Sequence, residues 1–152
     1  MVRTILIIVL IVLVVIQFFR PAKNQSRDEG KSITTVYPVP ANIQPLLKDG
    51  CYDCHSNYTS YPWYDRIQPV AWWLQHHVNE GKKELNFSEF ASYTPKKQAH
   101  KLKEVAELVH KDAMPLQSYT WMHPKARLTN DQKQLIINWA KGLQAQIEKK
   151  GI

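Results

Sequence analysis

The sequence predicts an all-α protein with about four helices joined by long loops. Three observations carry that expectation. Four segments repeat apolar residues at helical spacing, two of them open on clear capping signals, and no run alternates long enough to make a strand. A length of 152 residues leaves room for one hydrophobic core once the N-terminus is set aside.

The N-terminus is the first element. Thr4 to Phe19 (TILIIVLIVLVVIQFF) carries no charge, has only Thr4 and Gln17 as polar residues, and is bracketed by Arg3 and Arg20. It is slightly short of the ~20 residues of a membrane span, but flanking arginines can snorkel to the interface. Residues 1–20 therefore read as a transmembrane anchor. A cleaved signal segment is the alternative, although no A-x-A-like site follows. The flanking charges leave the orientation open. Residues 21–35 (PAKNQSRDEGKSITT) are polar and without period and read as a linker, so residues 36–152 form the functional domain.

Within that domain Pro40 to Lys48 reads as a short helix, with Pro early and Gly50 as its stop. A second helix is expected from about Asp65 to Glu80, where Val70, Trp73, Leu74, His77 and Val78 share one stripe before Gly81. Thr94-Pro95 opens a third, with Ala99, Leu102, Val105, Ala106 and Val109 on one face. Thr129-Asn130-Asp131-Gln132 is a capping box for the fourth, whose face is Leu135, Ile136, Trp139, Ala140, Leu143 and Ile147. The intervening loops, Ser56 to Tyr64 and Ala113 to Leu128, are long for a bundle, so something besides helix packing organises them.

Lys and Arg number 20 against 13 acids, a net charge of +7, but 15 basic and 11 acidic residues remain after residue 31. That excess is too mild and too scattered for a nucleic-acid partner. Lys96, Lys97, Lys101 and Lys103 read as a solvated helix face.

The only two cysteines stand in Cys51-Tyr52-Asp53-Cys54-His55, a C-x-x-C-H motif. Thiols three positions apart can each add to a vinyl group of one haem, and the next histidine can then reach the iron as proximal ligand. A thioredoxin-like dithiol would need a βαβ setting, and a structural zinc site would need two further ligands. Neither context is visible. Methionine sulfur is a soft donor suited to the sixth position, and Met114 at Met114-Pro115 opens the second long loop, where it can approach opposite His55. Met122, a bis-His arrangement with His110 or His123, and an open sixth site are the alternatives. His77 reads as a satisfied core residue. The aromatics from Tyr58 to Trp73 read mostly as core, with part of them lining the haem crevice, and Arg66 and the tyrosine hydroxyls are candidates to meet its propionates. Asn57-Tyr58-Thr59 and Asn86-Phe87-Ser88 match the glycosylation pattern by chance.

The strings CYDCHSNYTSYPWY, IQPVAWWLQHHVNEGKKELNFSEF and AMPLQSYTWMHPKARLT resemble the haem-binding domain family of short exported bacterial proteins, over roughly Val36 to Leu143. The resemblance implies a variant of the class I cytochrome c fold, with helices around one covalent haem c. It makes Cys51 and Cys54 the thioether sites, His55 the proximal and Met114 the distal iron ligand. The chain departs from the family at Ala113, where an acidic residue is usual. Covalent attachment of this kind is done outside the cytoplasm. The resemblance therefore implies a domain in the periplasm, tethered to the bacterial inner membrane by a single-pass anchor. The function expected is that of a mono-haem c-type cytochrome passing single electrons between redox partner proteins. No substrate-transforming residue is required, so it is not expected to be an enzyme. The alternative is a haem-based sensor or peroxidase-like protein with a labile or open sixth position; a non-haem thiol redox protein is a third reading.

Overall fold

A computed structural model describes residues 1–150. Its α-helical segments are α1 (Val2–Val15), α2 (Ile33–Val36), α3 (Gln44–Gly50), α4 (Tyr52–His55), α5 (Val70–Glu84), α6 (Pro95–His110), α7 (Gln117–Met122) and α8 (Asn130–Lys150). Tighter 3-10 turns lie at Ile16–Phe18, Trp63–Arg66, Phe87–Ser92 and Pro124–Ala126. Among the described residues the only bridge between extended segments is the pair Gln25 and Tyr58. The all-α expectation holds.

The two best sequence signals give the two best-defined helices. Thr94 caps α6 by accepting from the Lys97 amide, and the Thr129 hydroxyl accepts from the Gln132 amide at 3.2 Å while the Gln132 side chain accepts from the Thr129 amide at 2.9 Å. That reciprocal pair satisfies two of the amides a helix start leaves open. α6 and α8 then pack along their length, Ala99, Leu102, Ala106 and Val109 against Ile136, Ile137, Ala140, Leu143 and Ile147. Ile137 takes the place expected of Leu135, which faces solvent. Ile33, Ile43, Leu47, Phe87 and Phe90 complete this core. Each large aliphatic or aromatic side chain buried there contributes roughly 1.5–3 kcal/mol.

α5 stands beside this core. Its buried Ala71, Leu74 and Val78 lie outside the main cluster, and its principal neighbours are α4 and the Trp63–Arg66 turn. The expected helix from Asp65 to Glu80 is displaced. Ile67 is extended, and Gln68 precedes Pro69, which disfavours helical backbone at Gln68. The helix therefore starts at Val70, and it runs through Gly81 to Glu84 instead of stopping. The expected helix at Pro40 to Lys48 likewise shifts to Gln44–Gly50, and the loop from Ala113 to Leu128 contains α7 and a 3-10 turn.

The N-terminal helix is shorter than the sequence suggests. α1 ends at Val15 where the backbone tightens, and its 14 residues have no buried member. At ~1.5 Å per residue such a helix is about 21 Å long, against ~30 Å of bilayer hydrocarbon. No helix among the described residues is long and apolar enough to cross a membrane. The segment expected to be a linker lies on the domain. The Asn24 amide donates to the Tyr61 hydroxyl and its side chain to Ser56 O and Thr59 Oγ1, while Ile33 is fully buried in the core.

Candidate functional site

α3 ends as α4 begins, and the turn between them carries the motif. The Cys54 and His55 amides both donate to Cys51 O, at 3.2 and 2.9 Å, which places Cys51, Cys54 and His55 on one turn. Both cysteines are free thiols. They face a cavity of about 450 Å³ closed by α5, α6 and the segment Met114–Tyr119. Met114 lines this cavity together with all three motif residues. Its other walls are largely apolar: Leu85, Phe87, Val105, Leu108 and Val109.

Two glycine positions set how tightly the walls close. A Cβ on Gly81 would lie 2.7 Å from Cys54 O and 2.9 Å from Cys54 Cβ, so α5 touches the motif backbone only because residue 81 has no side chain. A Cβ on Gly50 would lie 3.2 Å from Pro115 Cγ, which brings the Met114-Pro115 segment up to the start of the motif.

His55 donates Nδ1–H to the Leu85 carbonyl at 3.0 Å. A carbonyl can only accept, so the proton sits on Nδ1 and Nε2 keeps its lone pair. Burial lowers the imidazole pKa, outweighing the carbonyls of Leu85 and Gly81, and the ring is neutral. Burial pushes the Cys51 thiol up to about 12, helped by Cys54, and the Cys54 thiol up to about 11, helped by Asp53. A dithiol redox centre works through the opposite shift, toward thiolate. No group of three or more potential metal ligands from His, Cys, Asp and Glu forms among the described residues, so a zinc site lacks its further ligands.

The polar neighbours order the turn. Asp53 accepts from the Ser60 amide at 3.0 Å through Oδ1 and from the Tyr119 hydroxyl at 2.7 Å through Oδ2. Asn86 donates to Asn57 Oδ1 at 2.8 Å, and Asn57 donates to Glu89 and to Asp28 O. The asparagines of the two glycosylation-like triplets are thus buried and join the segment after the motif to the 3-10 turn at Phe87–Ser92.

Several expectations change in three dimensions. Lys101 is not a solvated lysine: it lines the cavity, its side chain is 12% exposed, and it bonds Glu104 at 2.7 Å and Glu84 at 3.2 Å. Those carboxylates outweigh its burial and raise its pKa. The aromatic run is mostly not core. Trp63, Trp72 and Trp73 are exposed; Trp63 and Trp73 line a second cavity of about 270 Å³ that shares Cys54, His77, Leu116 and Tyr119 with the first. Met122 lies in that second cavity, apart from Met114. His77 lines both cavities, donating Nδ1–H to Trp73 O at 2.8 Å. His123 stacks on Tyr119 at 4.0 Å, and neither it nor His110 lines the main cavity. Arg66 borders a separate surface hollow with Lys23 and Asp65.

The model of the family described as "Haem-binding domain" matches residues 11–142. The chain belongs to the haem-binding domain family. No curated relative and no solved structure matches it. The haem-binding domain offers its ligand a largely apolar, solvent-accessible cleft within the ~300–1,000 Å³ range of cofactor pockets. Into that space project a neutral imidazole with its Nε2 free, two thiols on the same turn, and a thioether from another wall. The donor set fits a haem. Sequence reading missed Gly81, Tyr119 and the Lys101–Glu84–Glu104 group; the last had a local signal, since Lys101 and Glu104 are three residues apart on a helix.

Proposed function

We propose that the protein is a membrane-anchored, periplasmic mono-haem c-type cytochrome that carries single electrons. The observation supporting this reading is the placement of Cys51, Cys54 and His55 on one turn facing a cavity that Met114 also lines. When bound, haem supplies a one-electron iron couple. Cys51 and Cys54 would hold the haem through one thioether each. His55 would offer Nε2 to the iron, its ring plane held by the Leu85 carbonyl. Met114, on another wall of the cavity, would offer the iron a thioether sulfur, a soft donor that favours the reduced state. Leu85, Phe87, Val105 and Leu108 keep water from the buried face. Electron carrying requires no catalytic residue in this chain. α1, whose apolar side chains have no protein to cover them, inserts in the inner membrane as the anchor.

The test is expression of the full chain in a host with a c-type maturation system, followed by spectra of both oxidation states and by denaturation. Haem that stays on the unfolded chain, is low-spin, and loses its sulfur-to-iron charge-transfer band in Met114→Ala is the expected result. A covalent but high-spin haem that takes up added ligands would replace electron carriage with a sensor or peroxidase-like role. Haem that washes out on denaturation would overturn the c-type assignment.

A further inference from the structure

The end of α1 is fastened to the domain. Gln17 and Gln68 exchange hydrogen bonds: the Gln68 amide donates to Gln17 Oε1 at 2.9 Å and the Gln17 side chain donates to Gln68 O at 3.3 Å. Phe19 O then accepts from the Gln68 side chain at 2.8 Å and from the Trp72 indole N–H at 2.9 Å. Gln68 itself is 3% exposed. Beside this staple, Phe18 and Phe19 at the end of α1, and Ile67 and Trp72 flanking Gln68, are all exposed, Phe18 at 81%. Arg20 and Arg66 are exposed within the same segments.

From this we propose that the face around Ile67 and Trp72 is a docking surface for the lipid bilayer, holding the domain flat on the membrane. The inference rests on the reading of α1 as the anchor. An apolar helix of about 21 Å in a hydrocarbon layer of ~30 Å draws its flanking residues down to the interface. Phe18 and Phe19 flank α1, and the staple sets Gln68 and Trp72 at the same depth. Indole rings favour the headgroup level, where one side is apolar and the other wet, and phenyl rings the apolar side just beneath it. Arg20 and Arg66 complement the phosphates of anionic lipids. The patch thus continues the apolar surface of α1 in a composition that suits a bilayer better than a polar protein partner.

The experiment uses the full, haem-loaded chain in vesicles of phosphatidylcholine with a minority of phosphatidylglycerol. Flotation in high salt reports insertion of α1. Single cysteines are introduced as Ile67→Cys and, on the exposed side of α8, as Gln134→Cys, and their reaction with a charged maleimide is timed. The chain without an added cysteine supplies the background. Ile67→Cys is expected to react about tenfold or more slowly than Gln134→Cys, as a site in the interface should. Adding Gln17→Ala together with Gln68→Ala, which leaves only the Trp72 bond to Phe19 O, should bring the two rates together. If the chain floats and both sites react alike, the anchor stands and the docking surface is wrong. Protection that disappears on lowering the protein-to-lipid ratio would assign the patch to a second copy of the chain and overturn the proposal. A chain that does not float removes both the anchor and the docking.

Discussion

The Tyr119 hydroxyl donates to Asp53 Oδ2 at 2.7 Å, and through it the segment that carries Met114 is tied to the middle of the Cys51–His55 turn. Burial, reinforced by the Asp53 charge, raises the Tyr119 pKa, so the phenol keeps its proton and remains a donor. Tyr119→Phe removes the donor and nothing else of the ring. Because the site is partly open to solvent, the expected loss is about 1–2 kcal/mol of stability, read as a lower urea midpoint. The sulfur-to-iron band in the haem-loaded variant should also fade at a lower temperature than in the wild type.

Two glycines on helices predict opposite signs. At Gly81 a methyl group would meet the Cys54 backbone at 2.7 Å, whereas at Gly142 nothing lies within 4 Å. Gly81→Ala gains about 1 kcal/mol of helix propensity but incurs about 1–3 kcal/mol of overpacking, and the clash with backbone wins. Gly142→Ala gains the propensity alone, about 0.5–1 kcal/mol. Denaturant titrations of the two variants should move apart, the first below the wild type and the second above it.

Core and cavity substitutions should also separate. Leu102 is fully buried between α6 and its neighbours, and Leu102→Ala should cost about 2–5 kcal/mol. Leu108 is exposed on the cavity side of the same helix. Leu108→Ala should leave the unfolding midpoint of the haem-free chain within about 1 kcal/mol of wild type, while altering the absorption spectrum of the haem-loaded form.

The haem-free chain should be sensitive to mild acid. Burial lowers the His55 pKa below its ordinary value of 6.5, so the unfolded chain binds a proton that the folded one refuses. Stability contributed by neutral His55 is complete above pH 6.5 and is lost as pH falls from there toward the folded-state value. Thermal unfolding of the apoprotein between pH 7.5 and 5 should show this decline, and His55→Asn should flatten it.

Much of the scaffold was legible because its signals are local. The Thr129–Gln132 box and the Thr94-Pro95 start each lie within one turn, and the stripes of α6 and α8 need only their own spacing. The motif at Cys51–His55 was equally local. Gly81 was misjudged for the same reason: within the sequence a glycine after an apolar stripe is a stop, and only the approach of Cys54 gives it another purpose. The stripe on α5 mixed two surfaces, Val78 inward and Val70, Trp73, Leu74 and His77 along a cavity, which periodicity cannot tell apart. Trp72 was expected in the core and instead spends its indole N–H on Phe19 O, a partner 53 positions away. Lys101 changed from solvated to half-buried and paired, since Glu84, on another helix, reaches it.

The separation of α5 from the α6–α8 core divides the molecule by consequence. Packing between α6 and α8 decides what fraction of the chain is folded at any moment, and so how long it survives proteolysis in the cell. The contact of α5 with the Cys51–His55 turn decides what the folded chain can hold. Substitutions on the α6–α8 seam away from the cavity change abundance first; those where α5 meets the turn change the occupant's surroundings, and at Gly81 the lifetime with them. Leu85, Phe87 and Val109, which belong to the core and also line the cavity, are where lifetime and cargo are set together.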